Sequence, residues 1–260
     1  MRPALYREVR GQGRDLVLLH GWGMNAAVWR GLPADLALGH RQTAIELPGH
    51  GGSPFEPAWR EIDAWAQACL AAAPPRAVWL GWSLGGLVAL AAARLAPERL
   101  SGLILMTATP RFIQAGDWLA AMAAETLDQF HANLLAEPTV TLERFLALQV
   151  RGSEAAQATL RLLRKELGQR PPPDPVALDR GLDLLGTTDL RPAIGDIPCP
   201  SLWVLGERDT LVPAAVAKDI VRLNPEARVR VIARAAHAPF LSHPAATTAA
   251  LLDFLWELET

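Results

Sequence analysis

Residues 77–95, AVWLGWSLGGLVALAAARL, place a serine between an apolar run and a Leu/Ala-rich segment. The run from Ala77 to Trp82 is apolar enough for a strand covered on both faces, and Leu84 to Leu95 is typical of a helix. The residues between them match G-x-S-x-G, a turn so tight that bulky side chains two places before or after the serine would clash. The pattern predicts a nucleophilic hydroxyl on Ser83, at the carboxyl edge of a sheet and near the amino end of a helix. The alternative interpretation is an ordinary serine that caps the helix.

Short apolar runs alternate with longer Ala/Leu-rich segments over much of the chain. This alternation is typical of parallel strands joined by helices, so we predict an α/β fold with a mostly parallel sheet flanked by helices. The predicted strands are 16–19, 43–47, 77–82, 103–106, 202–205 and 229–233, and the predicted helices are 26–38, 62–72, 84–95, 213–223 and 244–258. From 112 to 188 the alternation stops, and Leu and Ala recur at helical spacing around the Pro171-Pro172-Pro173 run. We therefore predict a helical cap at 112–188, inserted into a sheet domain formed by 1–111 and 189–260.

The bulk composition argues against several functional classes. The chain has 260 residues, half of them apolar, which is enough for one α/β domain with an insertion or for at most two small domains. A formal net charge of −2 gives no overall attraction to nucleic acid or to an anionic membrane, so neither is expected as a partner. Cys69 and Cys199 stand far apart and form no zinc-binding pattern, so we expect neither a disulfide framework nor a metal site. Because the sequence shows no signal-peptide core and no run of 18 apolar residues, we expect a cytoplasmic protein.

A histidine and an aspartate follow the last two predicted strands, at the sheet edge where Ser83 is expected. His237 lies in AAHAPF, and Asp209 lies in GERDTLVP. A neutral imidazole can take a proton from serine when its other nitrogen is held by an acceptor, which predicts His237 as general base and Asp209 as its partner. The order Ser, Asp, His along the chain is that of α/β hydrolases. Glu207 is the nearest rival to Asp209, and the alternatives are a loop histidine that caps local backbone and an aspartate that caps a helix or pairs with Arg208.

The turn His20-Gly21-Trp22-Gly23 follows the first strong strand and has the form HGxG. Turns of this kind supply one backbone N–H of an oxyanion hole, so we assign the two donors to the N–H groups of Trp22 and Leu84. His20 itself is interpreted as a structural turn residue. Two other glycine-rich stretches, LPGHGGS at 47–53 and GQG at 11–13, lack the residues or the position of nucleotide-binding loops and are interpreted as turns.

The motifs HGWG, LPGHGGS, WLGWSLGGLVA, ERFLALQ, GERDTLVP and AAHAPFLSHP together resemble the pimeloyl-[acyl-carrier protein] methyl ester esterases of biotin synthesis, nearly end to end. The resemblance implies hydrolysis of the methyl ester of a pimeloyl chain attached to acyl-carrier protein, without metal or organic cofactor. It adds substrate contacts to the predicted catalytic residues Ser83 and His237. The implied contacts are Trp22, Leu84, Phe145, Leu146, Ala147, Leu148 and Gln149. For Phe145, Leu146 and Leu148 the alternative is packing within the cap.

The carrier protein of this family is acidic, so a basic surface on the cap is the expected counterpart. The expected docking residues are Arg144, Arg151, Arg161, Arg164 and Lys165. Leu160, Leu163 and Leu167 predict the buried stripe of one helix, which leaves its basic residues on the solvent side. The aligned positions Val140 and Gln157 are uncharged, and an ordinary solvated face is the alternative interpretation.

Other functions fit the predicted catalytic residues Ser83, Asp209 and His237. Lactonases, C–C bond hydrolases and general short-chain esterases also use a serine, a histidine and an acid, because a fold does not fix a substrate. A ligand-binding protein on a hydrolase scaffold is an alternative from another class. For either kind of protein we expect a monomer.

Overall fold

Seven strands form one sheet in the computed structural model, which describes residues 3–33 and 35–259. They are β1 (Arg7–Arg10), β2 (Arg14–Leu19), β3 (His40–Ile45), β4 (Ala77–Trp82), β5 (Leu100–Met106), β6 (Ser201–Gly206) and β7 (Arg228–Ile232). Their order across the sheet is β1-β3-β2-β4-β5-β6-β7. β1 runs antiparallel to β3, and the other neighbouring pairs are parallel. The predicted α/β fold with a mostly parallel sheet is confirmed.

Helices connect most of the strands. They are α1 (Asp35–Leu38), α2 (Ile62–Ala72), α3 (Leu84–Leu95), α4 (Ala124–Ala136), α5 (Pro138–Gln149), α6 (Ala156–Leu167), α7 (Pro175–Thr187), α8 (Val216–Leu223), α9 (Pro239–Ser242) and α10 (Pro244–Glu257). Short 3₁₀ turns occupy Ala26–Gly31, Pro97–Arg99 and Arg191–Ala193. Across the described residues, no helix combines the length and the apolar character that crossing a membrane would require.

The single helix predicted over 26–38 is wrong. A 3₁₀ turn starts at Ala26, where the Asn25 side chain accepts a hydrogen bond from the Ala27 N–H. It ends at Leu32, whose φ of −69° and ψ of 139° are extended. Leu32 precedes Pro33, and a proline ring disfavours helical backbone at the residue before it. The short helix α1 forms separately, beyond that break.

The sequence pattern also missed β1. This strand has only four residues, of which three are charged, and it forms the edge of the sheet beyond β3. Edge strands are often short and charged because such residues discourage pairing with another chain. The same features remove the apolar signal by which a strand is recognised in a sequence.

The centre of the sheet is fully buried. Every residue of β4 and β6 is buried, as expected for parallel strands covered on both faces. Trp79 on β4 and Trp203 on β6 have no exposed surface. α3 follows β4 directly and packs on β4 and β5. The turn that carries Ser83 therefore joins a fully buried strand to a helix that packs on the centre of the sheet.

The chain between β5 and β6 forms the four helices α4 to α7, all of which lie within the predicted cap at 112–188. Ion pairs join the two ends of this segment. Arg111 Nη1 lies 2.9 Å from Asp189 Oδ2, and Arg191 Nη2 lies 2.7 Å from the same oxygen. Hydrogen bonds from Arg191 lower the pKa of Asp189 to about 2. The Arg111–Asp189 pair thus links the two ends of the inserted segment.

Candidate active site

Five candidate residues follow the carboxyl ends of neighbouring parallel strands. Trp22 follows β2, Ser83 follows β4, Thr107 follows β5, Asp209 follows β6 and His237 follows β7. In a parallel sheet these ends lie along one edge, where ligands of open α/β sheets bind. The topology therefore brings together side chains that are more than 200 residues apart in the chain.

Ser83 occupies a strained turn at the start of α3. Its φ of 55° and ψ of −118° lie outside the backbone regions that residues other than glycine ordinarily adopt. The flanking glycines make this turn sterically feasible. A Cβ at Gly81 would lie 2.3 Å from the Gly85 oxygen, and a Cβ at Gly85 would lie 2.4 Å from the Leu19 oxygen. The strand, turn and helix predicted around the candidate nucleophile are all present.

Asp209 and His237 form a buried pair. The distance from His237 Nδ1 to Asp209 Oδ2 is 2.7 Å, and the two side chains are 1% and 0% exposed. The other carboxylate oxygen, Oδ1, accepts the backbone N–H groups of Leu211 at 2.8 Å and Val212 at 3.0 Å. An ionised carboxylate can only accept hydrogen bonds, so His237 Nδ1 must be the donor to Asp209 and carries the proton of the neutral imidazole.

Glu207, the rival to Asp209, is engaged elsewhere. Its Oε2 accepts the backbone N–H of Arg234 at 2.7 Å, at the turn that follows β7. Glu207 is exposed, whereas Asp209 is buried beside His237. The geometry therefore favours Asp209 as the partner of the imidazole, as the sequence predicts.

Three contacts fix the backbone of His237. Its carbonyl oxygen accepts the indole N–H of Trp82 at 2.8 Å and the hydroxyl of Thr107 at 2.8 Å. Its N–H donates to the carbonyl oxygen of Gln149, the last residue of α5, at 3.0 Å. Within the described residues, the buried Nε2 atom of the same imidazole makes no hydrogen bond. The backbone is thus held by three contacts and the ring by Asp209, and Nε2 remains available to a reacting hydroxyl.

Trp22 and Leu84 supply the candidate oxyanion donors. In the described part of the chain neither backbone N–H donates to a protein acceptor. The turn before Trp22 lies against the nucleophile, since a Cβ at Gly21 would be 3.3 Å from Ser83 Cβ. Two unused N–H groups beside a candidate nucleophile form the geometry in which a developing oxyanion is stabilised.

Two buried histidines hold this turn in place. His20 Nε2 accepts the Leu47 N–H at 3.0 Å, and His50 Nε2 accepts the Gly23 N–H at 3.2 Å. Burial lowers the pKa of His50 to about 4 and lowers the pKa of His20 well below its ordinary value. Both rings are therefore neutral acceptors near pH 7. The LPGHGGS stretch, interpreted from the sequence as a plain turn, supports the candidate oxyanion hole through His50.

Comparison with known proteins identifies the family. Residues 16–244 match the family described as alpha/beta hydrolase fold. A pimeloyl-[acyl-carrier protein] methyl ester esterase from Photobacterium profundum is 45% identical over 255 residues, which cover 98% of this chain and 100% of that protein. An esterase of the same name from Xylella fastidiosa is 45% identical over 253 residues, covering 96% and 98%. The chain belongs to this family of esterases.

A solved structure agrees at the level of the fold. An esterase from Exiguobacterium antarcticum aligns with a TM-score of 0.87 at 20% sequence identity, covering 98% of this chain and 96% of that one. At this identity the likeness shows the fold alone. The α/β-hydrolase fold and the family predicted from the sequence motifs are confirmed.

The substrate contacts implied for this esterase family lie at the junction of cap and sheet. Phe145 is buried, and its ring packs edge-on against Trp22 with 4.8 Å between the ring centroids. Gln149 is buried one helical turn further along, and its carbonyl oxygen accepts the N–H of His237. Leu146 is also buried, Leu148 is partly buried against the core, and Ala147 is exposed. Phe145 thus contacts Trp22 and the backbone of Gln149 contacts that of His237, whereas Ala147 is exposed.

A cavity of about 420 Å³ lies between the candidate oxyanion turn and the cap. It starts at Gly23, next to Trp22, and extends between α5 and α6 to Arg164 and the proline run at 171–173. Its lining is mainly apolar and includes Leu146. The cavity therefore connects the neighbourhood of the candidate oxyanion hole with the basic side of the cap.

The five predicted docking residues are exposed on or beside α5 and α6. They are Arg144, Arg151, Arg161, Arg164 and Lys165. Arg164 pairs with Glu143 at 2.7 Å, which partly neutralises it. Within the described residues the other four pair with no carboxylate. Leu163 is fully buried and Leu160 and Leu167 are partly buried, so the predicted apolar stripe of α6 is confirmed.

Sequence reasoning missed Thr107 and the role of Trp82. Thr107 is fully buried, has a φ of 41° that is uncommon for a β-branched residue, and donates to the carbonyl of His237. A polar residue directly after the apolar strand LILM, beside the nucleophile strand, was the available signal. It is weak, because many strands end at a threonine.

Proposed function

We propose that this chain is a serine carboxylesterase that hydrolyses the methyl ester of pimeloyl-[acyl-carrier protein] and releases methanol. The observation that carries the chemistry is the buried Asp209–His237 pair, whose unpartnered Nε2 lies at the sheet edge that also holds the strained turn of Ser83. The names of relatives that match this chain over its whole length support the identity of the ester.

Acylation starts when the Ser83 hydroxyl attacks the carbonyl carbon of the methyl ester. His237 Nε2 takes the hydroxyl proton, and Asp209 stabilises the imidazolium that forms. The carbonyl oxygen becomes an oxyanion that accepts the N–H groups of Trp22 and Leu84, each worth about 3 kcal/mol in comparable sites. The bond to the methoxy oxygen then breaks, the imidazolium protonates that oxygen, and methanol leaves. The acyl chain remains as an ester of Ser83.

Deacylation uses the same groups with water in place of methanol. His237 removes a proton from water, and the hydroxide adds to the acyl carbon. The same two N–H groups hold the second oxyanion. Collapse of this intermediate returns the proton from His237 to the Ser83 oxygen and releases a carboxylic acid, which ionises once it has left the site. Every proton transfer passes through His237, so the chemistry needs no metal and no organic cofactor.

The site suits a long acyl chain with a large group at its far end. The cavity beside the oxyanion turn is mainly apolar and extends to Arg164, one of the basic residues on the cap. A chain that occupies it has one end beside Gly23, next to Trp22, and the other end beside Arg164. That arrangement supports a substrate that remains attached to an acidic carrier protein.

We extend the proposal to the docking surface of the carrier, formed by Arg144, Arg151, Arg161, Arg164 and Lys165. Unpaired exposed cations attract an acidic partner over a distance of about 8 to 10 Å and mainly increase the rate of association. Arg144 and Arg161 contribute more than Arg164, because Arg164 already pairs with Glu143. A monomeric, cytoplasmic enzyme is the form that we expect.

Hydrolysis of two substrates tests the proposal. Wild-type protein is expected to cleave both the carrier-bound pimeloyl methyl ester and p-nitrophenyl acetate, and Ser83→Ala is expected to lose both activities. The double variant Arg144→Glu and Arg161→Glu should lower kcat/KM for the carrier-bound ester by about tenfold or more at low salt, and leave the small ester unchanged. Lys218→Glu, a charge reversal at an exposed residue of α8 outside the cap, is the control.

Three outcomes would contradict parts of this account. Retained activity in Ser83→Ala would refute the nucleophile. Cleavage of small esters or lactones without cleavage of the carrier-bound ester would assign a different substrate to the same chemistry. An equal loss on both substrates in the charge-reversed variant would remove the docking surface.

A further inference from the structure

The side chain of Trp22 is held by the cap. Its indole is fully buried, and its Nε1–H donates to the carbonyl oxygen of Leu178 on α7 at 2.8 Å. Phe145 on α5 packs edge-on against the same ring. The residue whose backbone N–H faces the developing oxyanion is therefore attached, through its side chain, to two helices of the cap.

Gly181 permits this attachment. It lies one turn after Leu178 on α7, and a Cβ there would be 2.6 Å from Trp22 Cδ1 and 3.0 Å from Trp22 Nε1. The same Cβ would lie 3.4 Å from Leu84 Cδ2. A glycine inside a helix is destabilising by up to about 1 kcal/mol relative to alanine, so its presence needs a local reason. The reason here is the close approach of the α7 backbone to the indole.

We propose that Gly181 is a positioning residue of the esterase, which sets the oxyanion hole by seating the Trp22 indole against α7. Gly181 touches no reacting atom. It acts through Trp22, whose backbone N–H follows the position of its anchored ring. This inference rests on the proposed function, since it assigns a task within that mechanism.

The position of the cap is coupled to the hole by this arrangement. A shift of α7 moves the Leu178 carbonyl, the indole follows, and the Trp22 N–H changes its direction relative to the oxyanion. The cap also holds the base, because the carbonyl of Gln149 accepts the N–H of His237. The cap thus takes part in aligning both the oxyanion donor and the base, in addition to covering the substrate.

Gly181→Ala tests the proposal directly. The added methyl displaces the indole, and we expect kcat/KM for p-nitrophenyl acetate to fall about 10- to 100-fold, part of the 100- to 1000-fold loss seen when one oxyanion donor is removed. The inhibition constant of an alkylboronic acid, whose tetrahedral adduct places an oxygen in the hole, should rise by a similar factor. A merely structural role would leave the boronic acid affinity of the folded protein unchanged.

Gly186→Ala is the matched control. It makes the same substitution on the same helix, where the new Cβ would meet only the flexible end of Leu127, at 3.0 Å. Its activity and boronic acid affinity are expected to stay within about threefold of wild type. Thermal unfolding of both variants identifies any loss that comes from unfolding.

A double-mutant cycle separates an effect through the indole from any other effect. Trp22→Ala keeps the backbone N–H and removes the ring, so Gly181→Ala should cost nothing further in that background. An equal fold-loss in both backgrounds would overturn the proposal.

If Gly181→Ala does not fold, Trp22→Phe takes its place, because phenylalanine lacks the N–H that donates to Leu178. Reduced boronic acid affinity of Trp22→Phe supports the attachment of the ring to α7, and wild-type affinity overturns it. Loss of activity in Ser83→Ala, with Gly181→Ala behaving like Gly186→Ala, would refute this inference alone.

Discussion

Replacing Asp209 by asparagine exchanges a carboxylate for an amide of nearly the same shape, and the surrounding backbone decides how the amide sits. Oδ1 accepts the N–H groups of Leu211 and Val212, so the amide oxygen must take that position. The NH₂ group then faces His237 Nδ1, where Oδ2 stood at 2.7 Å. Because an amide nitrogen can only donate, Nδ1 must become the acceptor and the proton moves to Nε2. The imidazole is left in the tautomer that cannot take a proton from Ser83.

The expected loss in kcat is about 10⁴-fold, close to 5 kcal/mol of transition-state stabilisation, with little change in stability because both backbone donors stay satisfied. Hydrolysis of p-nitrophenyl acetate near pH 7, together with a thermal melt, measures both quantities. Glu207→Gln is the control and should stay within about threefold of wild type, since Glu207 binds the backbone of Arg234. Activity of Asp209→Asn within tenfold of wild type, or an equal loss in Glu207→Gln, would refute the assignment of the acid.

Two further predictions concern groups that hold the site together. Burial lowers the pKa of His50 from 6.5 to about 4, so the unfolded chain binds a proton at this residue before the folded protein does. The free energy of unfolding should therefore fall by about 3 kcal/mol as the pH drops from 6.5 to 4. Denaturant unfolding of His50→Asn should show a pH dependence that is weaker by that amount. An unchanged slope would contradict the buried neutral ring. Thr107→Val removes one of two donors to the His237 carbonyl and should lower kcat/KM about tenfold. Thr109→Val should not, because the Thr109 hydroxyl donates to the Arg111 carbonyl instead. Equal effects of the two substitutions would exclude a positioning role for Thr107.

Much of the fold and the principal site residues could be predicted from the sequence because their signals are local. The strand, turn and helix around Ser83 occupy consecutive residues, and the glycines that the turn needs stand within two positions of the serine. Asp209 and His237 were found in the same way, each as a polar residue a few positions after a predicted strand. The parallel topology then brings these ends together, so their spatial relation followed without a structure.

The contacts that align these residues could not be predicted, because each joins residues that are distant in the chain. The hydroxyl of Thr107 reaches the carbonyl of His237 across 130 residues, and the Trp22 indole reaches Leu178 across 156. Gly181 has no reactive side chain, and its role depends on which ring packs against it. The break at Pro33 and the charged edge strand β1 were missed for another reason, since local backbone preference and charge there override the apolar periodicity.

Covalent labelling of the nucleophile tests the central claim most directly. A fluorophosphonate probe reacts with a serine that is activated by a base and faces an oxyanion hole, and peptide mass spectrometry identifies the residue that carries the adduct. We expect one adduct on Ser83 in wild-type protein, none in Ser83→Ala, and slower labelling in the presence of the carrier-bound pimeloyl methyl ester. An adduct on another residue, or a folded wild-type protein that is not labelled, would contradict it and favour a ligand-binding protein on a hydrolase scaffold.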